Sequence, residues 1–365
     1  MAAGFGLGVL VGGFFARAVF STQLSNRTDA NTKDLSPKQT PTKRTRPLVL
    51  VTGGSGLLGS AFTRQASKKY TEVADFHFSN SRECDLLDST AVRALLRRLQ
   101  PTHVIHLAAD VGGLYKNMNQ QFNMFSNNVR MNMNVIEAAH AEGVQHLVAC
   151  LSTCVFPDEI ARTGRPLKEE DLHLGPPHDS NYGYAYAKRM VDVACRALRE
   201  QHGRNYFCIT PTNLYGANDN FNLEDAHVMP ALIHKAYLAK QKGQKLMVFG
   251  TGAPLRQFLL ADDCAYFTLF CLLEYKGKPL DSVIVSVPEG DEISIAHAAD
   301  SIASFFGVET FYDKTKSDGQ LRKTASNERM VEIYGGPFPY TPFQEALKQT
   351  MEWFVKNYEL GTARV

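Results

Sequence analysis

The sequence predicts an α/β protein built on a doubly wound parallel sheet, the Rossmann arrangement. Short apolar runs recur through its first half, amphipathic stretches separate them, and a glycine cluster joins the first run to the first helix. Leu48–Val51 is wholly apolar, as a strand covered on both faces must be. Val73–Phe78, His103–Ala108, His146–Leu151 and Tyr206–Thr210 read as further strands, with helices over Thr90–Leu99, Asn127–Glu142 and Tyr184–His202 between them. In Asn127–Glu142, Val129, Met133, Ile136 and Ala139 share one side, and Gly143 stops the helix.

Beyond Tyr215 the alternation decays. A loop at Gly216–Asn222, a helix over Met229–Lys242 and strands at Lys245–Phe249 and Val283–Val287 are expected. A helix near Ile295–Phe306 and a final amphipathic helix, Phe343–Tyr358, follow, the latter with Leu347, Met351 and Phe354 on one face. The expected organisation is residues 1–46 as an N-terminal segment, 47–215 as the nucleotide-binding domain and 216–365 as a smaller α/β substrate-binding region, interleaved with it.

The chain has 365 residues, 44% hydrophobic and 21% charged, which fits a globular protein with a substantial core. A net charge of +2, with no dense basic face outside the N-terminal tail, argues against nucleic acid as a partner. Seven scattered cysteines without a CxxC point to a reduced compartment and away from a disulfide framework or a bound metal. Ala2–Phe20 is apolar except for Arg17, and about 19 such residues can just span a bilayer. A membrane anchor, a cleaved secretory signal and an organelle-targeting leader compete. No basic residue precedes Phe5, whereas Arg27, Lys33, Lys38, Lys43, Arg44 and Arg46 follow, which favours a tethered enzyme with its main domain in the cytosol. Ser21–Pro47 reads as a flexible linker.

Val51-Thr52-Gly53-Gly54-Ser55-Gly56-Leu57-Leu58-Gly59 places three glycines three apart between the first strand and its helix. Glycine there allows a tight turn, a close approach to a pyrophosphate and close helix–strand packing, so the expected ligand is a dinucleotide. The bland reading is an ordinary strand-to-helix turn. NAD-binding folds usually end the second strand on a carboxylate that grips the ribose 2′-hydroxyl. Here that strand ends Phe78-Ser79-Asn80-Ser81-Arg82, which suits a 2′-phosphate and favours NADP(H). Asp75 takes the acidic position only if the strand end is misplaced; Asp85 is placed near the adenine.

Tyr184 and Lys188 lie four apart on one helical face, where a nearby ammonium would favour the phenolate. Ser152, at the end of the strand His146–Leu151, stands over the crevice where ligands bind such sheets. Tyr186 is the rival tyrosine, two residues from Lys188. Taken singly, Cys154 and His227 are more simply a buried thiol and a satisfied imidazole.

Ser152, Tyr184 and Lys188 behind the glycine turn resemble the extended short-chain dehydrogenase/reductase superfamily. The resemblance narrows with Leu151-Ser152-Thr153-Cys154, Gly175-Pro176-Pro177-His178, Pro211-Thr212-Asn213-Leu214-Tyr215-Gly216, Asp219-Asn220-Phe221, His227-Val228-Met229-Pro230 and Lys316-Ser317-Asp318-Gly319-Gln320. Together these look like the GDP-L-fucose synthase family, over about Leu48 to Tyr358. That family inverts C3 and C5 of GDP-4-keto-6-deoxy-D-mannose and reduces C4 with NADPH. The resemblance implies that Ser152 and Tyr184 polarise the C4 ketone, with Lys188 supporting, Cys154 as base and His227 as acid. It implies cofactor contacts from Gly53, Gly54, Ser55, Gly56, Leu57, Leu58, Gly59, Asn80, Arg82, Asp85, Leu107, Ala108 and Ala109. Ser152, Tyr184, Lys188, Pro211, Asn213, Leu214 and His227 complete the cofactor set. For the nucleotide sugar it implies Asn213, Val228, Leu232, Lys235, Phe249, Arg256 and Lys323. Phe249 and Lys235 stand where some members carry Trp and Arg. A homodimer through a helix pair is also implied. A nucleotide-sugar 4-epimerase holding NAD, a non-catalytic NADP(H)-binding regulator and a membrane scaffold are the competing functions.

Overall fold

The computed structural model describes residues 45–365. The apolar run forms β1 (Leu48–Thr52), and α1 (Leu57–Gln65) follows the glycine turn. β2 (Asp75–Ser79), α2 (Ser89–Leu99), β3 (His103–His106), α3 (Leu114–Asn119) and α4 (Gln121–Ala141) come next. Then come β4 (His146–Cys150), the short α5 (Asp158–Arg162), α6 (Tyr182–His202), β5 (Asn205–Pro211) and β6 (Asn213–Tyr215). Later in the chain, β10 (Ser282–Val285) joins the main sheet, whose order is β10-β5-β4-β3-β1-β2. All its pairings are parallel. The chain passes from β1 to β2 on one side and then to β3 on the other. The carboxyl ends of β1 and β3 therefore flank the switch point, where such sheets open a ligand crevice.

Residue alternation along each strand supplies two cores. Leu50, Val104, Leu147 and Tyr206 face one side, packing with Val92 and Leu96 of α2, Val135 and Ile136 of α4 and Val191 of α6. Val49, Val51, Ile105, Val148 and Phe207 face the other, against Ala61 and Phe62 of α1 and against α8 (Ala261–Leu269).

A third cluster holds the second half together: α7 (Val228–Lys242), β7 (Leu246–Phe249), α9 (Ile295–Phe306) and α11 (Phe343–Glu359). Leu347, Met351 and Phe354 are buried on one face of α11, as their spacing predicts. Smaller pieces were not legible as elements: β8 (Leu255–Arg256) with β11 (Ile293–Ser294), β9 (Phe258–Leu260) beside β6, β12 (Thr310–Asp313) beside β7, and α10 (Glu328–Tyr334). Residues 216–227 lie outside helices and strands, apart from one bridge at Asn220, as the expected loop does.

Three expectations need correction. β2 begins at Asp75, not Val73, because Val73 and Ala74 close a turn onto Tyr70. Helix α4 begins six residues earlier than expected, and Val129 and Met133 are only half-buried. Its covered side instead carries Met124, Asn128, Asn132 and Val135. Asn128 tolerates burial because its Nδ2 donates to the Asp110 and Met124 carbonyls; Asn132 Oδ1 meets His106 Nε2, while its Nδ2 has no partner among the described residues. The apolar segment 2–20 lies outside the described residues. Among the described residues no helix is long and apolar enough to cross a membrane.

Candidate active site

Two adjoining cavities, each of about 460 Å³, open over the carboxyl ends of the sheet and share Leu57, Leu58, Leu107, Ala109, Val111 and His227. The first is built on the glycine turn. Gly53 has φ +74, and a Cβ there would come within 2.8 Å of Ala108 N. At Gly59 a Cβ would meet Gly54 Cα at 2.6 Å and the Gly53 carbonyl closer still. Both positions exclude side chains, which presses α1 onto the turn. Gly56 is the N-cap of α1 and no side chain caps that end, so the helix N-terminus offers donors to an anion. The donor set therefore fits a dinucleotide pyrophosphate.

Gly53, Ser55, Gly56, Leu57, Leu58, Gly59, Asn80, Asp85, Leu107, Ala108, Ala109 and His227 all line this first cavity; Gly54 and Arg82 do not. Asn80 Oδ1 accepts from the Arg82 and Glu83 amides at 3.0 and 3.3 Å, which shapes the turn after β2. Arg82 is exposed on that turn, and its guanidinium has no partner among the described residues. Asp75 is excluded from the ribose position. It pairs with Leu48 at the opposite end of β2 and forms an ion pair with Arg46 at 2.9 Å.

The second cavity is lined by Ser152, Tyr184, Lys188, Pro211, Asn213, Leu214, His227 and Val228. Ser152 ends the loop from β4 and accepts from the Cys154 amide at 3.5 Å. Lys188 is buried, with its Nζ donating to the Cys150 carbonyl at 2.7 Å and standing 5.8 Å from the Tyr184 ring centre. The neighbouring Tyr186 is exposed instead, over Arg189. The lowering of the Tyr184 pKa expected from Lys188 does not prevail. Burial pushes the phenol well up, and negative charge on Cys154, Cys150 or Asp110 would push it further. Burial also lowers the Lys188 ammonium below its ordinary value.

Cys154 sits just behind, in a single helical turn (Thr153–Val155), and does not line either cavity. Burial raises its thiol above the ordinary range, while Ser152, Lys323 and Lys188 pull it back. His227 is the N-cap of α7 and is accessible from both cavities. Enclosure by protein lowers its imidazole, and Asp225 opposes this.

The expected substrate residues divide. Asn213 and Val228 reach the cavity, whereas Leu232 is packed into the third core. Lys235, Phe249, Arg256 and Lys323 lie outside both cavities. The Lys235 Nζ stands 4.4 Å over the Phe249 ring. Arg256 donates to the Leu255 and Gln320 carbonyls at 2.8 and 2.7 Å. Burial lowers the Lys323 ammonium below its ordinary value, and negative charge on Cys154 would oppose this. Asp318 fastens the 316–320 loop by accepting from the Thr251 amide and hydroxyl at 2.6 and 2.8 Å.

Several participants were not anticipated. His106 is held between Thr52 Oγ1 at 2.7 Å and Asn132 Oδ1 at 2.9 Å beneath the switch point, its pKa lowered to about 4 by burial. Asp110 accepts from Lys116 and Asn127 at 2.5 and 3.1 Å. Asp219, Asp225 and Arg364 line the first cavity. A signal existed only for Asp219, in the Asp219-Asn220-Phe221 string.

Comparison with known proteins agrees with this geometry. Residues 49–285 match the NAD dependent epimerase/dehydratase family. The GDP-L-fucose synthase of Dictyostelium discoideum is 44% identical over 328 residues, covering 89% of this chain and 99% of that protein. The probable GDP-L-fucose synthase of Drosophila melanogaster is 39% identical over 320 residues, covering 85% and 98%. A crystal structure of a GDP-L-fucose synthetase from Naegleria fowleri bound to NADP superposes with a TM-score of 0.80 at 40% identity, covering 88% of this chain and 98% of that one. A chain that matches these proteins almost from end to end, with the glycine turn and the Ser-Tyr-Lys set at one crevice, belongs to the GDP-L-fucose synthase branch of the NAD dependent epimerase/dehydratase family.

Proposed function

We propose that this enzyme makes GDP-L-fucose from GDP-4-keto-6-deoxy-D-mannose by inversion at C3 and C5 and NADPH-dependent reduction at C4. One observation carries the reading: Ser152, Tyr184, Lys188 and His227 line a cavity that shares a wall with the glycine-turn cavity. A ketone gripped there lies beside the place where a nicotinamide would be held. NADPH supplies the hydride when bound. The glycine turn would hold its pyrophosphate, with Asn80 and Arg82 at the 2′-phosphate.

The C4 ketone acidifies the protons on C3 and C5. Ser152 and Tyr184, donating to its oxygen, stabilise the enolate that each deprotonation leaves. Cys154, as thiolate, takes a proton from one face of the sugar, and His227, as imidazolium, returns one to the other face. Each inversion thus leaves a thiol and a neutral imidazole, so a proton must pass back between them before the second. In the reduction Tyr184 gives its proton to the C4 oxygen. Tyr184 is protonated at the outset and so has a proton to give; burial makes the phenol a weaker acid, and the charge developing on the C4 oxygen drives the transfer. Arg256 and Lys323 are assigned to the diphosphate, and Lys235 with Phe249 to the guanine.

The division into 47–215 for the cofactor and 216–365 for the nucleotide sugar belongs to this proposal. So does a homodimer through α4 and α6. Phe122, Phe125, Val129 and Met133 form an unburied stripe on α4, and Tyr186, Met190 and Val193 form one on α6. We assign Ala2–Phe20 as a tether that holds the enzyme at the cytosolic face of a membrane, to be tested by fractionating cells with and without that segment. Incubation with GDP-4-keto-6-deoxy-D-mannose and NADPH tests the function. One NADPH consumed per GDP-L-fucose formed is expected, and a different sugar product would overturn it.

A further inference from the structure

The first cavity carries three carboxylates in its lining, Asp85, Asp219 and Asp225, yet it is assigned to a ligand with a doubly charged pyrophosphate. Asp219 Oδ2 is buried there without a partner. Among the described lysines and arginines, only Arg364 lines that cavity. It is brought in from the far end of the chain by a built connection. The Phe221 amide donates to the Arg364 carbonyl at 2.8 Å, and Asn220 and Arg364 pair as a parallel bridge.

The guanidinium itself is oriented. Nη2 donates to the Asn218 carbonyl at 2.9 Å and Nε to the Asp219 carbonyl at 3.4 Å, while Nη1 has no partner among the described residues. The loop that carries these carbonyls packs on the start of α1. The ideal Cβ at Gly216 would lie 3.6 Å from Leu57 Cδ1, and Arg64 of α1 reaches Asn218 Oδ1 at 3.3 Å. Arg364 is thereby tied to a loop that packs on α1, the helix that follows the glycine turn.

We propose that Arg364 is the cationic clamp for the pyrophosphate of the dinucleotide, supplied by the segment 361–365 closing over the 216–220 loop. Its free Nη1 donates to a phosphate oxygen opposite the helix N-terminus, and its charge offsets the aspartates. This rests on reading the chain as an NADPH-dependent enzyme.

The test is equilibrium titration of NADPH and NADH, followed by nicotinamide fluorescence, on the wild type, Arg364→Gln and Arg364→Lys at low and high salt. Losing a charge-assisted contact at a partly exposed site should weaken both dinucleotides about tenfold and by the same factor. Arg364→Lys should recover part of the loss, and Arg364→Gln should respond less to salt than the wild type. Unchanged affinity in Arg364→Gln would overturn the proposal. So would a loss confined to NADPH, which would place the contact on the 2′-phosphate. An equal loss with wild-type salt dependence would also overturn it, since that is the mark of a displaced loop. If the wild type itself bound neither dinucleotide, the enzymatic reading beneath the proposal would fail first.

Discussion

Replacing Asp219 by Asn should stabilise the protein in a strongly pH-dependent way. Asp219 is 4% exposed and its Oδ2 is unpartnered; Oδ1 accepts only from the Asn220 amide at 2.7 Å. Burial raises its carboxyl from the ordinary 3.8 to about 7, against the pull of that hydrogen bond and of Arg364. In the unfolded chain the group is ionised above about pH 4, whereas in the folded chain it keeps its proton up to about pH 7. Between those values the folded state binds the extra proton, so wild-type stability falls as pH rises and is level again above pH 7. At about 1.36 kcal/mol per pH unit the full loss is at most about 4 kcal/mol.

Asparagine is isosteric and cannot ionise, so this slope disappears. Thermal melts of the two proteins should nearly coincide at pH 4.5 and diverge by several degrees at pH 8, at roughly 2 °C or more per kcal/mol, with the variant the more stable. A constant difference across pH, or a variant less stable at pH 8, would show that Asp219 is not a buried acid in the folded chain.

Gly59→Ala forces a methyl group to 2.6 Å from Gly54 Cα, so the backbone of the glycine turn must shift to admit it. A destabilisation of about 1–3 kcal/mol and a loss of NADPH affinity of at least tenfold are expected by melting and titration; a wild-type Kd would remove the turn from the cofactor site. Tyr184→Phe should lower the rate of C4 reduction by about 10²–10⁴ while leaving NADPH binding within a few-fold, measured by single-turnover absorbance. Arg82→Ala should cut the preference for NADPH over NADH by about tenfold. Asp75→Asn should leave that preference alone, because Asp75 sits at the far end of β2; the reverse pattern in steady-state kinetics would refute the placement.

Much of this arrangement was legible because its causes are local. The glycine turn, the apolar run Leu48–Val51 of β1 and the four-residue spacing of Tyr184 and Lys188 each encode their geometry within a few residues. Leu232 misled because α7 is apolar nearly all round: Met229, Leu232, Ile233, Ala236 and Tyr237 are all buried. Periodicity there cannot separate the side that meets a ligand from the sides that meet the core. Val129 and Met133 misled for the opposite reason, since paired asparagines took the buried face of α4. Asp110, His106 and Arg364 were illegible because their meaning depends on partners elsewhere in the chain. Arg364 meets Asn218 and Asp219 across separations of 146 and 145 residues in the sequence.

The central claim is that one ketone, held by Ser152 and Tyr184, serves both inversions and the reduction, with Cys154 removing the protons. Turnover of GDP-4-keto-6-deoxy-D-mannose with NADPH in D2O, read by mass spectrometry and NMR of the sugar, tests it most directly. Wild-type enzyme should yield GDP-L-fucose carrying deuterium at C3 and C5, and Cys154→Ala should yield at most a slowly reduced, unlabelled and unepimerised sugar. Normal, doubly labelled fucose from Cys154→Ala would contradict the account.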